Sequence, residues 1–528
     1  MQPNLRRPFP VSASVMLSSA LALLLLLGFA MRLYRFPELP VGLHQDEVSE
    51  AYESYCLLHT GADRWGYRLP VYFLSWGSGQ NVLQSYLTIP VVAVTGLTRV
   101  GARLVPLVCG LLTLPLFFFS MRRWHGNAAA FSALAFLCFS PWQVMLARWG
   151  IENSPLPFFM VLGMFTFGRA LDSRSRWTIL PSLLPFALAL YTYGVTVVVL
   201  PGLLALLFLI GFREIFAQRA KWLGAFAVFS LASLPIAFFV LKNYITKTNY
   251  SFERWLPFSV PLIPITRFSQ IQDEAAARGP LAHNLHFLRH GLSDNIAWFQ
   301  VPGIHPLPTF VLGLAVLGIA AQLLKIVVER RFSGPYFAWL LACGPLLVLF
   351  PLNISRGGSI YLPVIAMAGI GAGVLFDARF PIAYRTAYRA AVVATIAVLL
   401  AIPTYRFIRA YFGTAYSFAI ETAFYPELPA AMEDVRQRSG PGTPIYISDK
   451  ITLNYVQTLF FMQVDPRTFQ HSGATFDHPD FGPYRFSQAS AARAGTPLVF
   501  LLAGDEPSLC ADPTGTVKEG PFTVGVCP

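Results

Sequence analysis

Two adjacent carboxylates, Asp46 and Glu47, stand in the stretch Gly42-Leu43-His44-Gln45-Asp46-Glu47, directly after the first long apolar run. Such a pair suits general-base work, one member taking a proton from a hydroxyl while the other orients it or binds a cation. No lysine lies close in sequence to neutralise them, and Asp46 is assigned as the base. The bland alternative is that both acids only favour the start of a helix. Beyond them Val48, Ala51, Tyr52, Tyr55 and Leu58 alternate with Glu50 and Glu53, a spacing that predicts an amphipathic helix at a membrane surface. Arginines suit a phosphate, which guanidinium binds through two parallel hydrogen bonds. The candidates are Arg148, Arg289 and Arg356, in three separate loops. Tyr361 either joins that anion site or anchors a span end at the interface. His283, His286 and His290 have a helical spacing open to metal binding, or form a solvated loop face. Asp46, Glu47 and Glu152 could hold a divalent cation or work without one.

A membrane scaffold must position these groups. Of the 528 residues, 55% are hydrophobic and only 12% charged, about half the charged share of a soluble domain. The apolar residues fall in repeated blocks, which predicts an α-helical polytopic membrane protein. The net charge of +12 does not point to nucleic acid, because the cations sit in short loops between apolar blocks. Arg6 and Arg7 precede a run from Ala13 to Met31, read as a retained first span. Ten further runs follow at about 102–121, 127–146, 155–171, 177–193, 195–212, 222–241, 309–327, 335–352, 360–376 and 391–408. Val82–Val94 is short and broken by Pro90, and is read as an interfacial or re-entrant helix within a first outer loop, 34–100.

Charge gives the orientation. With that assignment one set of short loops collects Arg122, Arg123, Arg169, Arg174, Arg176, Arg213, Arg219, Lys221, Lys325, Arg330, Arg331, Arg379, Arg385 and Arg389. The opposite short loops hold little more than Arg148, Glu152 and Arg356. The cationic set is therefore cytoplasmic, giving about eleven spans in the cell (inner or plasma) membrane, the amino terminus inside and the carboxyl terminus outside. The turn 147–153, the loop 353–361 and the Asp46 loop then share the outer face. So does a long loop, 242–308, bearing Arg254, Arg267, His283, His286, Arg289 and His290. Residues 1–408 form the membrane domain. Residues 409–528 read as a small outer α/β domain, with a helix at Pro429–Arg438 and strands at Pro444–Ser448 and Pro497–Leu502. The six Cys include no CxxC pair; Cys56, Cys109, Cys138 and Cys343 read as packing residues. Cys510 and Cys527 can pair if the tail lies outside the cytoplasm.

A carboxylate base, arginine clamps and an amphipathic entry helix on a membrane protein point to a lipid-phosphate substrate, with polyprenyl phosphate as the leaving group. The sequence resembles the GT-C class of membrane glycosyltransferases, in the family of protein O-mannosyltransferases and aminoarabinose transferases. The resemblance rests on Asp46-Glu47, on Thr60-Gly61-Ala62-Asp63-Arg64-Trp65-Gly66-Tyr67-Arg68-Leu69-Pro70, on Ala102-Arg103-Leu104-Val105-Pro106 and on Arg148 to Glu152. It covers roughly residues 10–410. It implies a polyprenyl-phosphate sugar donor, a hydroxyl acceptor on protein, lipid or cell-envelope glycan, an inverting displacement and an extracytoplasmic site. It puts Asp46 in the base position and Glu152 in a second acidic position where the family more often has Asp. The lysine that follows the first loop in the aminoarabinose enzymes has no counterpart. The competing reading is a lipid or glycan transporter without transferase chemistry. Transporters place ionisable groups within their spans, whereas these spans are almost free of charge.

Overall fold

The computed structural model describes residues 11–75, 79–265, 279–330, 332–377, 384–495 and 497–528. Arg6, Arg7, Arg267, Arg331 and Arg379 lie outside the described residues. Six described helices are long and apolar enough to cross a bilayer: Val15–Leu33, Arg99–Cys138, Arg219–Thr246, Thr309–Glu329, Gly358–Phe376 and Arg385–Tyr411. They account for seven of the eleven expected runs, because the helix Arg99–Cys138 merges two across Gly126, whose φ of 81° marks a kink. The other four runs are helical but short or interrupted. Leu156–Asp172 has 17 residues. The run 177–193 is divided into Arg176–Ile179 and Leu184–Ala189, with Pro181 in the break, where proline removes a ladder donor and crowds the preceding turn, and Pro185 in the first turn of the second helix. Thr196–Ile210 has 15 residues, and 335–352 divides into Pro335–Ala342 and Leu346–Leu349.

The helix Gly358–Phe376 is the most enclosed of the six, with 78% of its apolar window buried. Its glycines let neighbouring backbones approach. A Cβ on Gly371 would stand 2.0 Å from the Leu314 carbonyl oxygen, and one on Gly318 would stand 1.9 Å from that of Met367. Small residues at such crossings allow van der Waals packing between helices where lipid supplies no hydrophobic drive.

Four elements frame the site. Helix α1 is Val11–Leu33, α2 is Gln45–Thr60, α3 is Leu83–Thr95 and α4 is Arg99–Cys138. At 13 residues α3 is too short to cross a bilayer. The carboxyl-terminal domain holds a five-stranded sheet of β1 (Ile445–Ile447), β2 (Tyr484–Arg485), β3 (Leu498–Ala503), β4 (Thr514–Glu519) and β5 (Phe522–Cys527). Its order is β2-β1-β3-β5-β4, with β1 parallel to both neighbours and β5 antiparallel to β3 and β4. Cys510 and Cys527 form a disulfide.

Helix α2 corrects one expectation. It does not lie with its acidic face in solvent; both faces are buried. Val48, Ala51, Tyr52 and Cys56 share a core with Val456, Leu459, Phe460 and Phe469 of the tail. Tyr52 Oη donates to the Val464 carbonyl at 3.0 Å. Glu50 and Glu53, on the other face, are also buried. The sheet domain therefore roofs α2 and leaves its first turn to face the membrane domain.

Candidate active site

The first turn of α2 is fixed by its own cap. His44 is the N-cap residue: the Asp46 amide donates to its Nδ1 at 3.2 Å, and its own amide donates to Glu47 Oε2 at 3.1 Å. This reciprocal arrangement satisfies two of the helix's free amides. The turn before it approaches the tail so closely that a Cβ on Gly42 would stand 2.0 Å from the Phe424 carbonyl oxygen, and Gly42 has a φ of 69°. Both demands require glycine. Burial lowers the pKa of the His44 imidazole, against the pull of Asp46 and Glu47.

Successive helical residues point about 100° apart, and this separates the acid pair. Glu47 turns inward. Its Oε1 and Oε2 accept from Arg103 Nε at 2.7 Å and Nη2 at 2.8 Å, and Oε1 also accepts the Gly150 amide at 3.0 Å. Arg103 in turn donates to the carbonyls of Pro37, Pro40 and Gly42. The buried pair thus ties the 37–42 turn, α2, α4 and the 147–153 turn together, and Glu47 is committed to that joint rather than shared with a substrate. Arg148 has a similar role. It is buried, and donates to the Arg32 carbonyl at 2.6 Å and to those of Arg35 and Leu39 at 3.1 Å, capping the end of α1. The sequence reading had it as a phosphate ligand; its hydrogens are spent on main-chain oxygens. Tyr361 is also buried, donating to the Leu292 carbonyl at 2.6 Å and stacking on Trp142 with ring centres 4.6 Å apart. Arg289 is exposed on the last turn of Pro280–Arg289 and does not line the site.

Asp46, one residue before Glu47, points the other way, into a cavity of about 120 Å³. Its walls are Asp46, Gln80, Ile151, Glu152, Asn153, Tyr193, Phe299, Asn353, Ser355 and Arg356. Three of the residues singled out from the sequence, Asp46, Glu152 and Arg356, therefore meet in one place, from α2 and two different loops. Glu152 Oε2 accepts the Asn81 amide at 2.5 Å and its Nδ2 at 3.1 Å. Asn153 Nδ2 donates to Ser355 Oγ at 2.9 Å, and Ser355 Oγ donates to Tyr193 Oη at 3.1 Å. These bonds lock the 147–153 turn to the 353–361 loop. The Arg356 amide is held by Asn353 Oδ1 at 2.7 Å. Beside this polar chamber lies an apolar cavity of about 300 Å³, lined mainly by Tyr72, Val195, Val198, Ile236, Phe239, Val240, Tyr244 and Phe350. Tyr193 and Arg356 line both.

The sequence did not single out Gln80, Asn81, Tyr193 or Asn353. Their signal was weak but present: polar side chains at the ends of apolar runs, Gln80-Asn81 before Val82–Val94 and Tyr193-Gly194 between two runs. Among the described residues no three His, Cys, Asp or Glu side chains group as a metal site. His283 Nε2 instead bonds the Leu352 carbonyl at 2.8 Å, and His286 and His290 stack with ring centres 3.8 Å apart.

A second acid lies one turn behind Asp46. Burial, and then the negative fields of Glu152, Glu53 and Asp46, hold the Glu50 carboxyl well above the ordinary range, although the Ser85 hydroxyl donates to it. A carboxyl raised this way keeps its proton to a higher pH in the folded protein than in the unfolded chain. Stability is then lost as pH rises above the ordinary carboxylate pKa of 4.5. Glu50→Gln keeps the shape without the proton, so it is expected to raise the Tm at about pH 7 and to leave it unchanged near pH 4. Thermal melts of the detergent-solubilised protein at both pH values check this.

Residues 82–238 match the family model described as dolichyl-phosphate-mannose-protein mannosyltransferase. No curated protein matches the chain. Among solved structures it is similar to ArnT from Cupriavidus metallidurans bound to undecaprenyl phosphate, at 15% identity, 98% of each chain covered and a TM-score of 0.57. It is also similar to the oligosaccharyltransferase AglB from Archaeoglobus fulgidus in complex with an inhibitory peptide and a dolichol-phosphate. There the identity is 12%, with 94% of this chain and 70% of that one covered, and the TM-score is 0.53. The chain therefore has the GT-C fold of these membrane glycosyltransferases, and residues 82–238 match the mannosyltransferase family model.

Proposed function

We propose that the protein transfers a sugar from a polyprenyl-phosphate-linked donor to a hydroxyl acceptor at the outer face of the membrane, with inversion and with Asp46 as general base. The observation that carries this is the pair of adjoining cavities: a polar one bearing Asp46, Glu152 and Arg356, and an apolar one that shares Arg356 with it. An isoprenoid chain fits the second chemically, its phosphate fits Arg356, and the reacting carbon then falls in the first. The solved relatives' bound undecaprenyl phosphate and dolichol-phosphate agree with such a donor. In the proposed step the acceptor oxygen gives its proton to Asp46 and bonds to the anomeric carbon. The bond from that carbon to the phosphate oxygen breaks, and polyprenyl phosphate leaves. A single in-line displacement inverts the carbon. Arg356 neutralises the charge that grows on the leaving phosphate, and Glu152, held by Asn81, accepts hydrogen bonds from the sugar. A cation at Asp46 and Glu152 has hard oxygen donors to meet, but no part of this step depends on one. The outer location is supported by the cationic cytoplasmic loops and by the Cys510–Cys527 disulfide, a bond that persists in oxidising compartments.

The test is release of polyprenyl phosphate, and labelling of added acceptors, from radiolabelled sugar donors by the purified protein in detergent. Arg356→Gln removes a charge-assisted bond to phosphate and is expected to raise the donor KM about ten- to a hundredfold. A wild-type protein that carries labelled lipid across vesicles without releasing phosphate would favour transport instead.

A further inference from the structure

One wall of the polar cavity is set by a chain of hydrogen bonds that starts from a donor-only group, the Arg64 guanidinium. Arg64 is fully buried on the turn after α2 and is ion-paired with Glu53, which is equally buried. Its amide also donates to Glu53 Oε2 at 2.9 Å. Its Nη2 donates to Ser49 Oγ, and the Ser49 hydroxyl lies 3.2 Å from Gln80 Oε1. Guanidinium has five donors and no acceptor. Ser49 receives from Arg64 and keeps its own proton to donate, and Gln80 Oε1 is placed to accept it. An amide's oxygen and nitrogen are otherwise interchangeable in such a site and are assigned from their network. This network favours the orientation that sets Oε1 on Ser49. The Gln80 backbone is pinned as well, exchanging bonds with Phe73 at 2.9 and 3.0 Å.

With Oε1 committed to Ser49, the Gln80 NH2 is directed away from it. Gln80 lines the cavity beside Asp46 and Glu152, and among the described residues no acceptor takes its Nε2 hydrogens. We infer that Gln80 donates its amide hydrogens to a substrate oxygen in this cavity, and that Arg64, acting through Ser49, is the positioning residue that fixes the amide for it. The inference rests on the proposal that the cavity binds a lipid-phosphate sugar donor, and adds a contact to that site. The ligand chemistry is an oxygen acceptor, either a phosphate oxygen or a sugar oxygen. The tail takes part at one remove. Gln470 Nε2 donates to the Asp63 carbonyl at 2.7 Å and to Thr60 Oγ1 at 3.0 Å, holding the turn that carries Arg64.

Removing Arg64 would strand Glu53 in the interior, so the test is made at Ser49, where the ion pair stays intact. Ser49→Ala frees the amide to flip and is expected to raise the donor KM about three- to tenfold, with kcat and Tm close to wild type. Ser49→Thr keeps the hydroxyl and restores the KM. Gln80→Ala is impaired at least as much, and the double variant S49A/Q80A is no worse than Q80A, because Ser49 acts through Gln80. Two probes separate the sources of the oxygen. If Ser49→Ala weakens thermal stabilisation by undecaprenyl phosphate alone, the contact is to phosphate. If only the sugar-loaded donor is affected, the contact is to the sugar. Additive effects in the double variant, or a Ser49→Ala protein with wild-type KM and wild-type stabilisation by both probes, overturn the inference. A wild-type protein that binds neither probe removes the underlying proposal instead.

Discussion

Asp46→Asn is expected to lower kcat about a hundred- to ten-thousandfold, the range a lost general base commonly costs, while leaving the protein folded and able to bind donor. The substitution is close to isosteric. Its side chain lines the cavity, and the cap's hydrogen bond is made by the backbone amide of residue 46 to the ring of His44, which Asn preserves. Asn cannot take the acceptor's proton, so the displacement slows at the step that needs it. Single-turnover release of polyprenyl phosphate measures the chemistry, and the Tm shift on adding undecaprenyl phosphate measures binding. A variant with wild-type turnover would remove Asp46 from the mechanism.

Glu47→Gln should behave in the opposite way. It leaves the Arg103 guanidinium buried and without its counter-charge, and breaking a buried pair by removing one partner costs about 3–5 kcal/mol. The joint it holds connects the 37–42 turn, α2, α4 and the 147–153 turn, so the loss falls on the stability of every element it ties together. The expected result is a large drop in Tm and in the folded fraction recovered in detergent. Pairing Glu47→Gln with Arg103→Met should recover part of the loss, since replacing both partners by neutral groups is far less damaging than removing one. A Glu47→Gln protein with the wild-type Tm and no turnover would return Glu47 to the chemistry. The two neighbouring substitutions thus separate catalysis from architecture, one residue apart.

That separation marks where the sequence stopped being legible. Arg148, Glu47 and Tyr361 have the composition and position of site residues, next to the ends of apolar runs. A linear sequence places them at the ends of apolar runs but does not give the direction a side chain faces. Each is instead satisfied by main-chain carbonyls or by a buried partner, as buried polar groups must be. Arg356 has the same sequence credentials as Arg148 and lines both cavities. Only the folding of 353–361 against the 147–153 turn, through Asn153, Ser355 and Tyr193, distinguishes them. The burial of the acidic face of α2 is hidden from the sequence for a related reason. Glu50 and Glu53 alternate with apolar residues like a solvated stripe, but their partners, Ser85 and Arg64, are 35 and 11 residues away.

The sequence by itself determined that the chain is a bundle of apolar helices with a small carboxyl-terminal α/β domain. It also marked Asp46, Glu152 and Arg356 as charges stranded outside the spans. It could do so because burying an unpaired charge in lipid is costly, so composition and loop charge alone mark where the charged chemistry must lie. Tertiary structure decided which of those charges share a cavity, that an apolar chamber adjoins it, and that the tail roofs α2. Those outcomes depend on helical phase and on contacts between residues more than a hundred positions apart, such as Gly150 with Glu47 and Asn153 with Ser355. No local pattern in the chain records either.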